Sequence, residues 1–230
     1  MLAPTLLTGA SAMPARTLCL TYDDGPGATT GDGRGPRTLP LAEYLAGEGI
    51  RATFFMCGTH VAQLPGAPAQ VRALGHLVGN HTWHHWHLPD VLAAGGDVVG
   101  ELATTDALLD LPPGEPVLVR PPYGDWSPEV AAALNASPAV STGRVGPVGW
   151  DIDADDWVLW QRRASPEEAA RVLVDAVEVA GRGILLMHDS TADLPDVRDG
   201  NAAYETTTLL VPELRRRGYA FVGMDEVTLH

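Results

Sequence analysis

Thr17-Leu18-Cys19-Leu20-Thr21-Tyr22-Asp23-Asp24-Gly25-Pro26 opens the interpretable part of the chain. Six apolar or β-branched residues run without a polar break and stop at two acids and a Gly-Pro turn. A short continuous apolar run bounded by turn residues reads as a strand buried on both faces. Similar runs recur at 51–58, 117–122, 148–153, 183–189 and 219–224. Helical patterns lie between them. Ser165-Pro166-Glu167-Glu168 is a capping box with proline at the first helical position. The apolar periodicity it opens, over 169–179, stops at Gly181. Ser127-Pro128-Glu129 starts a second helix in the same way. Leu39, Leu41, Tyr44 and Leu45 mark a third, ended by Gly47 and Gly49. Strands alternating with helices at this spacing predict an α/β fold with a mostly parallel sheet, open or closed. Asp23, Asp24, Arg120, Asp153 and His188 all fall at or near the ends of these runs. Parallel α/β folds place their active sites at the C-terminal ends of the strands.

Composition narrows the function classes. The 230 residues are 45% hydrophobic and 19% charged, a globular balance, and the length fits a single barrel-sized domain. All 15 basic residues are arginines, which excludes Schiff-base chemistry and a phosphate loop ending in Gly-Lys-Ser/Thr. A net charge of −14 with no basic cluster is a poor match to nucleic acid. No apolar run approaches the roughly 18 residues of a membrane span. Residues 1–16 read as an N-terminal tail. Its Ala-Ser-Ala resembles a signal-peptidase site, but a basic leading region is missing and Pro4 breaks the apolar stretch. The compartment therefore stays unassigned. Cys19 and Cys57 sit in apolar runs as small hydrophobes, and would pair only if their strands were neighbours.

Four of the eight histidines crowd into residues 81–87. His81 and His85 are four apart, so on a helical turn they share one face and can bind one metal ion. Two histidines leave a site incomplete, since hydrolytic chemistry needs a third protein ligand and an open position. Asp23 and Asp24 are candidates for that ligand, one binding metal while the other takes a proton. A turn accounts for Gly25 and Pro26 but not for the doubled acid. Arg120 fits a structural ion pair equally well, and the acidic stretch 151–156 fits solvated surface.

Thr21-Tyr22-Asp23-Asp24-Gly25-Pro26, His81-Thr82-x-x-His85, Arg120-Pro121-Pro122-Tyr123-Gly124, Asp153-x-x-Asp156-Trp157 and Leu186-x-His188 occur in that order. Together they resemble the polysaccharide deacetylase superfamily, the NodB-homology domain of carbohydrate esterase family 4, over residues 17–230. The resemblance implies one distorted (β/α) barrel of about seven parallel strands with its site at the C-terminal strand ends. It implies that Asp24, His81 and His85 hold one divalent metal ion, usually zinc, with cobalt, manganese or iron(II) as alternatives. Asp23 would be the general base for the attacking water, and Arg120 would keep Asp23 ionised and aimed. His188 would be the general acid, kept protonated by Asp153, with Asp151, Asp155 and Asp156 left as solvated or capping acids. The backbone N–H of Tyr123 would serve the oxyanion, while Trp157 and Leu186 would line the acetyl pocket.

The implied reaction is N-deacetylation of a glycan such as peptidoglycan or a chitin oligosaccharide, by a monomer. The alternatives are an O-acetyl esterase on a polymer such as acetylxylan and a non-catalytic glycan-binding barrel. His84, His87 and Trp86 carry no assigned role, and His60, His76 and His230 read as structural. The glycine-rich loop 27–36 is longer than the resemblance leads one to expect, and such loops shape substrate grooves.

Overall fold

A computed structural model describes residues 1–29, 34–140 and 143–230; the middle of the expected 27–36 loop lies outside the described residues. Strand β1 (Thr17–Gly25) is buried along its whole length. Its side chains alternate between two environments, as the two-residue period of a strand requires. Leu18, Leu20 and Tyr22 face the principal core, which includes Leu41 and Leu45 of helix Thr38–Gly47, Leu173 and Val177 of helix Pro166–Ala180 and Leu210 and Leu214 of helix Ala203–Arg216. Cys19 faces the other way, into a cluster with Phe55, Val148, Ile184 and Met224. Thr21 and Asp23 continue that second face.

The other strands are β2 (Thr53–Met56), β3 (Leu77–Asn80), β4 (Val117–Val119), β5 (Arg144–Val145), β6 (Gly183–His188) and β7 (Ala220–Phe221). They form a seven-stranded sheet in the order β5-β4-β3-β2-β1-β6, with β7 paired to the start of β1. Every pairing is parallel. The sheet does not close by strand pairing. Instead the segment after β5 crosses from one edge to the other: Val148 N–H donates to Val119 O (2.7 Å), and Ile152 N–H donates to Ile184 O on β6 (3.0 Å). Residues 148–153, expected as a strand, form no ladder among the described residues: Val148 bridges to Leu7, and Ile152 bridges to Leu185 of β6. At the β6 edge Asp151 and Ile152 N–H both donate to Ile184 O, and Leu186 N–H donates to Ile152 O, a single bridge rather than a ladder.

The predicted helices are present. Ser165 Oγ accepts from Glu168 N–H (3.2 Å) at the start of Pro166–Ala180, and Gly181 ends it in the left-handed conformation (φ 75°). Ser127 caps Pro128–Ala136 in the same way through Val130 N–H. Of residues 1–16, expected as a tail, Leu2, Gly9 and Met13 are buried in the domain. Leu2 is buried with Val119, Val130 and Leu134, and its backbone exchanges two 2.8 Å hydrogen bonds with the Asn135 amide. Leu7 bridges to Val148. Both cysteines are buried and free. Among the described residues, no helix is long and apolar enough to cross a membrane.

Candidate active site

The C-terminal ends of β1 and β6 and the segments that follow β3 and β4 meet around a cavity of about 340 Å3. It is lined by Asp23, Asp24, His81, His85, Leu186 and His188, among others. A larger groove of about 630 Å3 between Pro26 and Tyr204 gathers none of these side chains.

The doubled acid is explained by a β-bulge. The register of β1 against β2 shifts between Asp23 and Gly25, and Asp24 takes a left-handed backbone (φ 73°). An extra residue in one strand re-aims a side chain. Both carboxylates thus reach the same cavity, although successive strand residues normally point to opposite faces. His60 Nδ1 donates to Asp24 O (2.5 Å) and fixes this turn, so His60 acts beside the site.

His81 and His85 do converge, but without a helix. They lie in irregular chain after β3, where Thr82 (φ 66°) and His85 (φ 62°) curl the backbone through left-handed conformations. Asn80 Oδ1 accepts from Thr82 N–H (2.7 Å), and Thr82 Oγ1 accepts from His85 N–H (3.2 Å). His81 Nδ1 donates to Arg120 O (2.8 Å), while His85 Nδ1 donates to Asp193 Oδ2 (2.6 Å). Each Nε2 then carries the lone pair. Those nitrogens lie 3.4 and 3.1 Å from Asp24 Oδ1, which is buried and has no hydrogen-bond partner. The ligand atoms of Asp24, His81 and His85 all lie within 4.8 Å of one another. Two imidazoles and one carboxylate facing each other without a donor between them are a donor set for a cation. Burial alone would raise the Asp24 carboxyl, but His85, His81 and His188 hold it well below its usual value. Burial opposes charge on His85 as well; Asp24 and Asp193 outweigh it and lift the ring to about 10.

Arg120 is fully buried, and each of its three nitrogens has a partner. Its Nη1 donates to Asp23 Oδ1 and Thr21 Oγ1 (2.8 Å each), Nη2 to Gly149 O (2.9 Å) and Nε to Val148 O (3.2 Å). Its guanidinium also lies over the Phe55 ring, 4.2 Å from the centroid. Asp23 is thereby pinned through Oδ1.

At the opposite wall, His188 Nδ1 donates to Asp156 Oδ1 (2.6 Å), and the His188 backbone N–H donates to Asp156 Oδ2 (2.8 Å). This corrects the expectation that Asp153 bonds His188 and that Asp156 is a solvated or capping acid. Asp156 is 1% exposed, whereas Asp153 Oδ1 accepts from Asp155 N–H (2.9 Å). The left-handed turn at Asp155 (φ 48°) starts helix Asp156–Gln161, and its first residue meets the end of β6. Asp153 remains on the cavity wall. Burial pushes the His188 pKa down, but Asp156, followed by Asp24 and Asp23, lifts it to about 10.

Leu186 is buried at the cavity floor, and Trp157 and Tyr123 stand half-exposed at its walls. Trp150, which no motif singled out, joins them. Tyr123 sits in a short turn with φ 59°. His76 is structural: Nδ1 accepts from Ala52 N–H (3.1 Å), and Nε2 donates to Ala42 O (2.8 Å). His84 is anchored on Glu101 and stacks on Trp86; His87 is held by Asp125 and stacks on Tyr123. Asp156 was legible inside its motif, next to Trp157. Asp193 lies in a polar loop with no sequence signal.

The family model described as polysaccharide deacetylase matches residues 10–139, more than half of the chain. The chain belongs to the polysaccharide deacetylase family. It is 30% identical over 217 residues to the chitooligosaccharide deacetylase of Azorhizobium caulinodans, covering 89% of this chain and 90% of that protein. It is also 30% identical over 213 residues to the peptidoglycan-N-acetylglucosamine deacetylase of Listeria monocytogenes. That match covers 92% of this chain but 39% of the Listeria protein, so the chain spans about two-fifths of that relative's length. The crystal structure of a peptidoglycan N-acetylglucosamine deacetylase shows the same fold, with a TM-score of 0.74 at 22% identity over 96% of this chain and 90% of that one.

Proposed function

We propose that this polysaccharide deacetylase family member removes acetyl groups hydrolytically from N-acetylated amino sugars of a glycan, either peptidoglycan or a chitin oligosaccharide. One observation carries the reading: a cation-ready triad lies between an aimed carboxylate, Asp23, and a carboxylate-backed imidazole, His188. Amide hydrolysis needs a proton taken from water and a proton given to nitrogen, and these two groups flank one cavity. Binding alone would require neither.

Asp24, His81 and His85 fit a divalent ion, with zinc favoured by the two-imidazole, one-carboxylate set. When bound, that ion supplies Lewis acidity toward the acetyl carbonyl and lowers the pKa of water. Asp23 takes the proton from the attacking water; Arg120 fixes its Oδ1, leaving Oδ2 for that task. The oxyanion faces the Tyr123 backbone N–H. His188 donates a proton from Nε2 to the departing amine, because Nδ1 is committed to Asp156. Water thereby adds across the C–N bond, giving acetate and a free amino sugar. Leu186 and Trp157 receive the acetyl methyl.

The test is acetate release from chitin oligosaccharides, peptidoglycan and acetylxylan, with and without chelator. Chelator-sensitive release from the N-acetylated substrates is expected. Release from acetylxylan alone would replace this reading by O-deacetylation, and release from none would overturn it.

A further inference from the structure

The chain after β6 folds back over the metal-ready triad and touches two of its three members. Ala192 N–H donates to Asp24 Oδ2 (3.3 Å), and one residue later Asp193 Oδ2 accepts from His85 Nδ1 (2.6 Å). The same Asp193 oxygen accepts the Tyr123 hydroxyl proton. Tyr123 is packed on both sides, tilted against the His85 ring at 4.6 Å between centroids and stacked on His87 at 4.0 Å. One carboxylate therefore ties a metal-site imidazole from the β3 loop to the tyrosine of the turn after β4. We propose that Asp193 is a positioning residue that locks His85 in its metal-binding tautomer and couples it to Tyr123. The proposal rests on the metal-site reading of Asp24, His81 and His85.

A carboxylate only accepts, so its contact forces the proton onto Nδ1 and leaves the Nε2 lone pair toward Asp24. Without Asp193 the ring is free to rotate or to switch tautomer, and each binding event must then select the competent state. Partners of this kind behind a metal-binding histidine are worth about 10–100-fold in metal affinity. His81 needs no such residue, because Arg120 O already accepts from its Nδ1.

The experiment is a zinc titration of the metal-free full chain in competition with a chromophoric chelator, for wild type, Asp193→Ala and Asp193→Asn. Asp193→Ala should weaken zinc binding about 10–100-fold with an unchanged zinc-free unfolding midpoint. Asp193→Asn keeps an accepting oxygen and should recover most of that loss. Zinc affinity of Asp193→Ala equal to wild type overturns the proposal. So does an Asn variant as weak as Ala with a lowered zinc-free midpoint in both, which is the mark of a merely structural role. Wild type that binds no zinc overturns the metal-site reading as well, whereas zinc-binding wild type without deacetylase activity overturns the proposed function and leaves this inference standing.

Discussion

Asp156→Asn should move the alkaline limb of the pH–rate profile toward acid. In the proposed reaction His188 is the general acid, a role it can fill only while protonated. Its pKa stands at about 10 against an ordinary 6.5, with Asp156 the largest of the influences that raise it. The other two, Asp24 and Asp23, would lie beside the cation of the proposed function, which would offset their pull and leave Asp156 dominant. An opposite charge at hydrogen-bond distance moves a pKa by about 1–3 pH units, each worth about 1.4 kcal/mol. The sign follows from the proton. Removing the carboxylate charge lowers the His188 pKa, so the competent form disappears at a lower pH. At pH values above both limbs the variant should lose about tenfold for each pH unit by which the limb has moved, while its activity in mild acid falls far less. The assay is kcat/KM for acetate release across pH, which reports ionisations of the free enzyme. Asp153→Asn serves as the control, because Asp153 bonds Asp155 rather than His188. A limb that stays in place in Asp156→Asn and moves in Asp153→Asn would refute the reasoning. Asparagine offers one accepting oxygen to two His188 N–H groups and leaves one of them without an acceptor, a loss of about 1–3 kcal/mol, so unfolding must be followed at the assay temperature.

Asp23→Asn should still bind a divalent metal ion and lose about 10²–10⁴-fold in turnover, whereas His81→Ala should lose metal binding and turnover together; metal analysis alongside acetate release separates the two. His188→Ala should slow amide substrates much more than activated acetyl esters, whose leaving groups need no proton; parallel measurement of both substrates decides, and equal losses would remove the acid role. Gly79→Ala should destabilise by about 1–3 kcal/mol, because the new Cβ would sit 2.5 Å from the Phe55 ring and 3.0 Å from Leu118 O. Thermal unfolding checks that value, and an unchanged midpoint would contradict the packing of β2 against β3.

Which parts of this molecule were readable from sequence follows from how local their signals are. β1 and β6 are covered on both faces, so burial writes a continuous apolar run into each. The helix starts at Ser127 and Ser165 are decided within four residues by one hydroxyl and one N–H. β3 escaped because Leu77-Val78-Gly79-Asn80 is short and ends in two poor strand formers. Gly79 is there because Phe55 leaves no room for a side chain. Residues 148–153 look like a buried strand because Val148 and Ile152 are buried, yet the segment crosses the open side of the sheet. Asp153 and Asp156 are equally available in sequence. The left-handed residue Asp155 between them decides which one reaches His188, and no residue pattern announces that conformation. The His81–His85 spacing suggested a helical face, whereas two left-handed residues bring the rings together.

His85 and His188 share more than their separate assignments suggest. Each donates Nδ1 to a carboxylate at 2.6 Å, and each is lifted to about 10 when only protons compete for it. A carboxylate partner therefore cannot by itself make one imidazole a ligand and the other an acid. The difference lies at the other nitrogen. His85 Nε2 faces Asp24 Oδ1 at 3.1 Å, with His81 Nε2 at 3.4 Å from the same unpartnered oxygen. A divalent cation would satisfy all three atoms at once, while a proton serves one pair only, so under the proposed function metal would displace the proton from His85. His188 belongs to no such cluster among the described residues, and its proton has no competitor. Under the proposed function the bulge at Asp24 divides the roles: by turning a second carboxylate inward it would make one histidine a ligand and leave the other an acid.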